Sequence, residues 1–268
     1  MVWAIMPAPR LRKAVRDNNV IGIFDSGLGG LSVLRRVREA LPQHDLLFFA
    51  DQAHVPYGER TETNLHELLI ANLEFLCERG VQAIVAACNT SCAIADRFGW
   101  PRIDVPVLDL IESAAIAVQE SGAKRIGIVA TTATARSGSY ARHIVGRIPD
   151  ARVIEVAAPA LVPLVEAGRT QTEEAREAVA AACEPLAGNV DAIVLGCTHY
   201  PLLLDHFEAS GAAPLVIDPA FVHARRAAEL AASLEIAAGS GSLTCVSNGD
   251  QAAFELAVER VLRGFAPA

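Results

Sequence analysis

Short apolar runs rich in β-branched residues alternate along the chain with longer stretches of helical character. The runs are Val20 to Phe24, Asp45 to Ala50, Ala83 to Ala87, Val105 to Leu108, Arg125 to Ala130, Arg152 to Ala157, Ala192 to Leu195 and Leu215 to Ile217. Runs this short and continuous suit strands buried on both faces, as parallel sheets require. The helix-like segments include Leu31 to Ala40, Asn64 to Arg79, Thr172 to Ala187 and His223 to Ser233, with Pro42, Gly80 and Gly188 near their ends as stops. This rhythm predicts a parallel α/β fold.

The two halves also repeat. Val81-Gln82-Ala83-Ile84-Val85-Ala86-Ala87-Cys88 aligns with Val190-Asp191-Ala192-Ile193-Val194-Leu195-Gly196-Cys197, an offset of 109 residues. Ile21-Gly22-Ile23 matches Ile126-Gly127-Ile128, 67 residues before the first cysteine and 71 before the second. Buried parallel strands resemble one another through apolar content alone. A cysteine shared at the point where each strand gives way to polar residues goes beyond that, and ligands of open α/β sheets collect at such strand ends. The pattern predicts two pseudo-symmetric parallel-sheet α/β domains with the active site in the cleft between them. Residues 18–112 with 226–268 would form the first and 113–225 the second, after an N-terminal extension over 1–17.

Composition narrows the function. Hydrophobic residues make up 52% of the 268, but alanine supplies much of that, and no apolar run approaches the roughly 18 residues of a membrane span. A net charge of −8 and a pI near 5.4, without a stripe of arginines and aromatics, argue against nucleic acid as the main partner. The extension carries Arg10, Arg12, Lys13 and Arg16, and Met1 to Ala8 is too short and interrupted for a signal peptide, so a cytoplasmic protein is expected. Six cysteines in a chain of this size are expected as reduced thiols rather than a disulfide framework. The two lysines, Lys13 and Lys124, are poor candidates for a Schiff base with pyridoxal phosphate.

Cys88 precedes Asn89-Thr90-Ser91 and a helix-like stretch; Cys197 precedes Thr198-His199-Tyr200-Pro201, with Pro201 placed for a first helical turn. Thiols before helix N-termini are expected to ionise readily, their pKa falling from about 8.5 toward neutrality. Two such groups facing one carbon from opposite sides are what inversion requires: one removes the α-proton and the other delivers a proton to the opposite face. The bland alternative for a cysteine is a small buried hydrophobe, which is the reading for Cys77, Cys183 and Cys245. Cys92 also reads as structural, since a zinc site from Cys88, Cys92, Cys197 and His199 would lack the usual paired Cys-x2-Cys spacing.

Asp25-Ser26-Gly27-Leu28-Gly29-Gly30-Leu31 fits a nucleotide loop poorly, because Ser32 stands where the dinucleotide pattern needs glycine and the Walker lysine is missing. Asp25 reads either as orienting an ammonium group or a nearby base, or as a turn cap. His199, two residues beyond Cys197, could set that thiol's protonation. In the loop Asp51 to Gly58, the Gly58 amides could receive a carboxylate.

Together, Gly22-Ile23-Phe24-Asp25-Ser26-Gly27-Leu28-Gly29-Gly30, Ala50-Asp51 through Pro56-Tyr57-Gly58, Ala87-Cys88-Asn89-Thr90 and Gly196-Cys197-Thr198-His199-Tyr200-Pro201-Leu202-Leu203 resemble bacterial glutamate racemase. The motifs stand in that family's order and the resemblance runs from Val20 to about Asp250. It implies reversible conversion of L-glutamate to D-glutamate for peptidoglycan precursors, and so a part in cell-wall biogenesis and cell shape, with neither metal nor organic cofactor. It implies that Cys88 deprotonates the D-isomer and Cys197 the L-isomer. Asp25, Ser26, Tyr57, Gly58, Asn89, Thr90, Thr198 and His199 would line the substrate site, and Asp25, His199 and Glu166, the last within Leu161-Val162-Pro163-Leu164-Val165-Glu166, would act as auxiliaries. The implied partners are glutamate, a second copy in a homodimer and, through an extension of the kind some members carry, an activating cell-wall precursor. The chain departs from the common pattern at Ala158 and Leu161, where cysteine and phenylalanine are frequent. A racemase of aspartate or another small acid is the nearest alternative, against which His199 argues, since aspartate racemases more often resemble Cys-Thr-Glu at the second site. A non-catalytic amino-acid binding module would need no paired thiols.

Overall fold

The computed structural model describes residues 19–264, so the extension over 1–17 lies outside the described residues. The strands are β1 (Val20–Asp25), β2 (Asp45–Ala50), β3 (Ala83–Ala86), β4 (Val107–Leu108), β5 (Arg125–Ala130), β6 (Arg152–Ala157), β7 (Ala192–Gly196), β8 (Val216–Ile217) and β9 (Leu243–Ser247). They form a five-stranded sheet of order β4-β3-β1-β2-β9 and a four-stranded sheet of order β6-β5-β7-β8. Every pairing is parallel. The central strands β3 and β7 are buried along their whole length, which is why they read as unbroken apolar runs.

The repeat extends to register. Ile84 pairs with Val107 and Val85 with Leu108; Ile193 pairs with Val216 and Val194 with Ile217, the same positions one repeat later. Gly22 of β1 and Gly127 of β5 likewise correspond. A Cβ on Gly22 would come within 3.1 Å of Leu76 and Val81, and one on Gly127 within 2.7 Å of Leu186, so in both sheets glycine lets a covering side chain approach. The expected Val105 to Leu108 strand shortens to Val107–Leu108, while β9 was not expected at all.

The helices are α1 (Leu31–Ala40), α2 (Glu62–Cys77), α3 (Asn89–Phe98), α4 (Leu110–Ser121), α5 (Thr132–Ser137), α6 (Ser139–Arg147), α7 (Leu161–Glu166), α8 (Glu173–Cys183), α9 (Leu204–Ala209), α10 (Ala220–Ser233) and α11 (Gln251–Gly264). The chain leaves the five-stranded sheet through α4 and returns to it through α10, and these helices pack on each other, with α10 also against α1 and α4 against α6. Residues 112/113 and 225/226, the expected domain limits, fall inside α4 and α10. Among the described residues no helix is long and apolar enough to cross a membrane.

Candidate active site

The carboxyl ends of β1, β3, β5 and β7 deliver Ser26, Cys88, Thr131 and Cys197 to one cleft. Tyr57, Gly58, Asn89, Thr90, Thr198 and His199 complete the expected part of its lining, and Pro159, Val162 and Pro163 close the side toward α7. The cleft is tight: the centres of water-sized molecules can occupy about 40 Å³ of it. Cys88 and Cys197 are only 3% and 5% exposed, so a ligand held there is nearly stripped of bulk water.

The glycine-rich turn after β1 is a spacer. A Cβ on Gly29 would lie 2.4 Å from Nδ1 of His199, one on Gly30 would lie 2.4 Å from Cβ of Asp25, and one on Gly27 would lie 2.5 Å from Oε1 of Glu166. Glycine at 27 and 29 therefore allows the two repeats to press their polar residues together here, while Gly30 lets the turn close on Asp25 of its own repeat. Asp25, fully buried, accepts the amides of Gly30 at 2.6 Å and Gly27 at 3.4 Å and the hydroxyl of Thr198 at 3.3 Å. It caps the turn and ties it to the second cysteine's loop, standing behind the cleft rather than on its wall. Burial raises its pKa, against the opposing influence of His199 and the turn amides.

Cys88 caps the N-terminus of α3. Its thiol was expected to be acidic, but burial and the neighbouring Asp25 push it up to about 12, outweighing hydrogen bonds from Ser91 and Ser26 that favour the thiolate. Magnitudes explain the reversal. A helix terminus is worth about 0.3–1 kcal/mol, less than one pKa unit, whereas full burial can move a group by about 3–5 units. Cys197 is followed by a single 3-10 turn, Tyr200–Leu203, before α9, so only the first thiol stands directly at an α-helix terminus.

Cys197 has a partner that Cys88 lacks. Its Sγ lies 3.6 Å from Nδ1 of His199, whose Nε2 lies 2.6 Å from Oε1 of Glu166. Glu166 also accepts the amide of Leu28 at 3.1 Å and the side-chain amide of Gln52 at 3.4 Å. Burial works against a charged imidazole, but the hydrogen bonds and charges of Cys197 and Glu166 win, and the His199 pKa is raised well above its ordinary value. Glu166 moves the other way: burial alone would raise it, yet His199 holds its carboxyl below the usual range. Like Asp25, Glu166 stands behind the cleft wall.

Tyr57 is held by its hydroxyl, which donates to Asp51 and accepts from Asn72 at 3.0 Å. Asn89 accepts the hydroxyl of Tyr140 at 2.5 Å, and Thr90 lies 3.0 Å from Thr131 and 3.1 Å from Thr134, hydroxyl to hydroxyl. Thr131 escaped the sequence reading although the repeat pointed to it, since it follows β5 as Ser26 follows β1. Cys92 does not line the cleft; its sulfur faces the core, accepting the amide of Leu110 at 3.4 Å. All six cysteines are free thiols, and Lys124 pairs with Asp150 at the surface.

Two thiols, one backed by an imidazole and one by a carboxylate and hydroxyls, thus share one tight, buried cleft between two repeats. A family-wide sequence profile described as Asp/Glu/Hydantoin racemase matches residues 21–227. The glutamate racemase of Desulforudis audaxviator is 43% identical over 210 residues, 77% of each chain. The chain belongs to the glutamate racemase family. As a racemase it is an isomerase, and its architecture is that of solved racemases. The Francisella tularensis glutamate racemase, solved in complex with D-glutamate, superposes with a TM-score of 0.85 at 26% identity, covering 92% of this chain and 94% of that one. The Escherichia coli glutamate racemase, solved with L-glutamate and the activator UDP-MurNAc-Ala, gives 0.71 at 25% identity over 91% of this racemase and 94% of its own chain.

Proposed function

We propose that this racemase interconverts L- and D-glutamate by moving a proton between opposite faces of the α-carbon, with Cys88 and Cys197 as the two acid/base groups. The observation that carries the reading is the presence of both thiols, from equivalent positions of two repeats, in a single cleft. In the L-to-D direction the Cys197 thiolate takes the α-proton while the Cys88 thiol gives its proton to the other face; the reverse direction begins with the protons exchanged. The raised pKa of Cys88 keeps it a thiol, which suits a resting donor, and an imidazolium at His199 favours the thiolate beside it. Ser26, Tyr57, Gly58, Asn89, Thr90, Thr198 and His199 bind substrate in this reading, with Asp25 and Glu166 holding Thr198 and His199 in place.

The product serves peptidoglycan precursor synthesis, which places the reaction in the cytoplasm. Residues 18–112 with 226–268 and residues 113–225 act as the two lobes. A homodimer, and control by a cell-wall precursor like the one bound to the E. coli relative, belong to the same proposal. Racemisation followed by circular dichroism, with pure enantiomers of glutamate and aspartate and no added cofactor, tests it. Glutamate is expected to invert in both directions, and Cys88→Ala and Cys197→Ala are each expected to lower kcat by at least about 10³-fold while retaining ligand affinity. Inversion of aspartate but not glutamate would move the substrate to the shorter acid, and turnover retained in either variant would remove the two-base assignment.

A further inference from the structure

Behind the wall that Asn89, Cys197 and Thr198 share with the main cleft lies a second cavity into which about 10 Å³ admits the centre of a water-sized molecule, roughly the space of one water. Ser32, Asn89, Cys197, Thr198 and Asp218 supply its polar lining. Ser32 Oγ donates toward the carbonyls of Gly29 at 2.8 Å and Thr198 at 3.0 Å, which leaves its lone pairs able to accept from a guest. Asp218 follows β8 directly, accepts the amide of Ala220 through Oδ1 at 2.9 Å and is partly exposed. Burial raises its carboxyl pKa, against the Ala220 amide and Arg36, which favours uptake of a proton relative to a surface aspartate.

The equivalent residue of the first repeat is used differently. Asp109 follows β4 as Asp218 follows β8, but its Oδ1 accepts the amides of Ile111 at 2.7 Å and Glu112 at 3.1 Å and caps α4. The sulfur packed there is that of Cys92, which accepts the amide of Leu110.

We infer that Asp218, acting through one water in the cavity behind Cys197, is a proton relay that resets this thiol between turnovers. The inference rests on the two-base reading. After an L-to-D turnover Cys197 holds the abstracted proton and Cys88 is a thiolate. The Cys197 S–H proton passes to the water as one water proton passes to the Asp218 carboxylate, leaving a thiolate and a carboxylic acid. The acid then loses its proton to solvent, while Cys88 takes one from water entering the emptied main cleft. One proton leaves and one arrives, and Asp218 ends as it began.

A tracer-perturbation experiment tests the relay. Isotopically labelled L- and D-glutamate are brought to equilibrium with the enzyme, and a large excess of one unlabelled enantiomer is added; label is driven transiently off equilibrium when the two free-enzyme forms interconvert slowly. Asp218→Asn is expected to show this excursion at substrate concentrations at least about tenfold below those at which the parent shows it, with kcat falling more than kcat/KM. Asp218→Glu restores the parent's behaviour, and Asp109→Asn retains it. Should Asp218→Asn fold poorly, Ser32→Ala, which removes one partner of the water, must move the excursion in the same direction. An unchanged excursion, or equal falls in kcat and kcat/KM without one, overturns the relay. A parent enzyme that fails to racemise glutamate overturns the two-base reading instead.

Discussion

Glu166 and His199 form a couple whose strength depends on pH in a direction that can be worked out. Glu166 is depressed, so its contribution is present above the ordinary carboxylate range and lost as pH falls through its lowered value. His199 is raised, so its contribution is complete below its ordinary value of about 6.5 and lost as pH rises through the higher folded value. Both are fully in force from about pH 5 to 6.5, and Glu166→Gln should cost about 1–3 kcal/mol there, less in stronger acid or alkali. Urea denaturation at several pH values measures this, and a deficit independent of pH would show that the ion pair is not its source. The two thiols were legible as a pair because a strand, a cysteine and a polar turn recur together. Their acidities were not, because a helix terminus is visible in a sequence while the burial that overrides it at Cys88 is a property of the assembled cleft. Glu166 could be placed beside His199 only through resemblance, since the two lie 33 positions apart and meet across α7 and the loop after β7.

At the scale of elements, eight strands announced themselves by short apolar runs, edge strand β6 among them although none of its residues is buried, and β9 did not. Only Cys245 of its five residues is fully buried, as expected at a sheet edge, so Leu-Thr-Cys-Val-Ser has neither continuous apolarity nor clean alternation. Yet its end supports the site. Asn248, just past β9, donates to Asp51 at 2.5 Å and accepts the amide of Ala53 at 3.0 Å, and Asp51 in turn receives the hydroxyl of Tyr57 on the cleft wall. Asn248→Ala should therefore raise KM by roughly three- to tenfold with a smaller change in kcat, the loss of about 1 kcal/mol of positioning. Steady-state kinetics in both directions check this; a fall confined to kcat would mean that the strand end does not act through Tyr57. The glycine turn after β1 was legible as a motif but not in its purpose. Gly29→Ala is expected to cost at least about tenfold in kcat/KM, because its Cβ would displace His199 and Thr198.

On the scale of the whole molecule, the described state is closed, and most of what closes it joins one repeat to the other. The Leu28 amide reaches Glu166, Ser32 reaches the Thr198 carbonyl, and Thr90 meets Thr131. With both thiols nearly inaccessible, glutamate can enter only if some of these contacts part, and α4 and α10, the two crossings between the sheets, are the places where such motion must be absorbed. Hydrogen exchange separates this opening from general loosening. The Leu28 amide is bonded across the cleft, whereas the Gly30 amide two residues later is bonded to Asp25 within its own repeat. If Leu28 exchanges through the open form and ligand holds the closed one, D-glutamate at a hundred times its dissociation constant adds about 2.7 kcal/mol to the cost of opening and slows Leu28 exchange about a hundredfold. Gly30 should change far less, because its bond survives the separation of the repeats. Equal protection at both amides would mean that ligand stabilises the first repeat as a block, and no protection at Leu28 would mean that substrate enters without parting the Leu28–Glu166 contact.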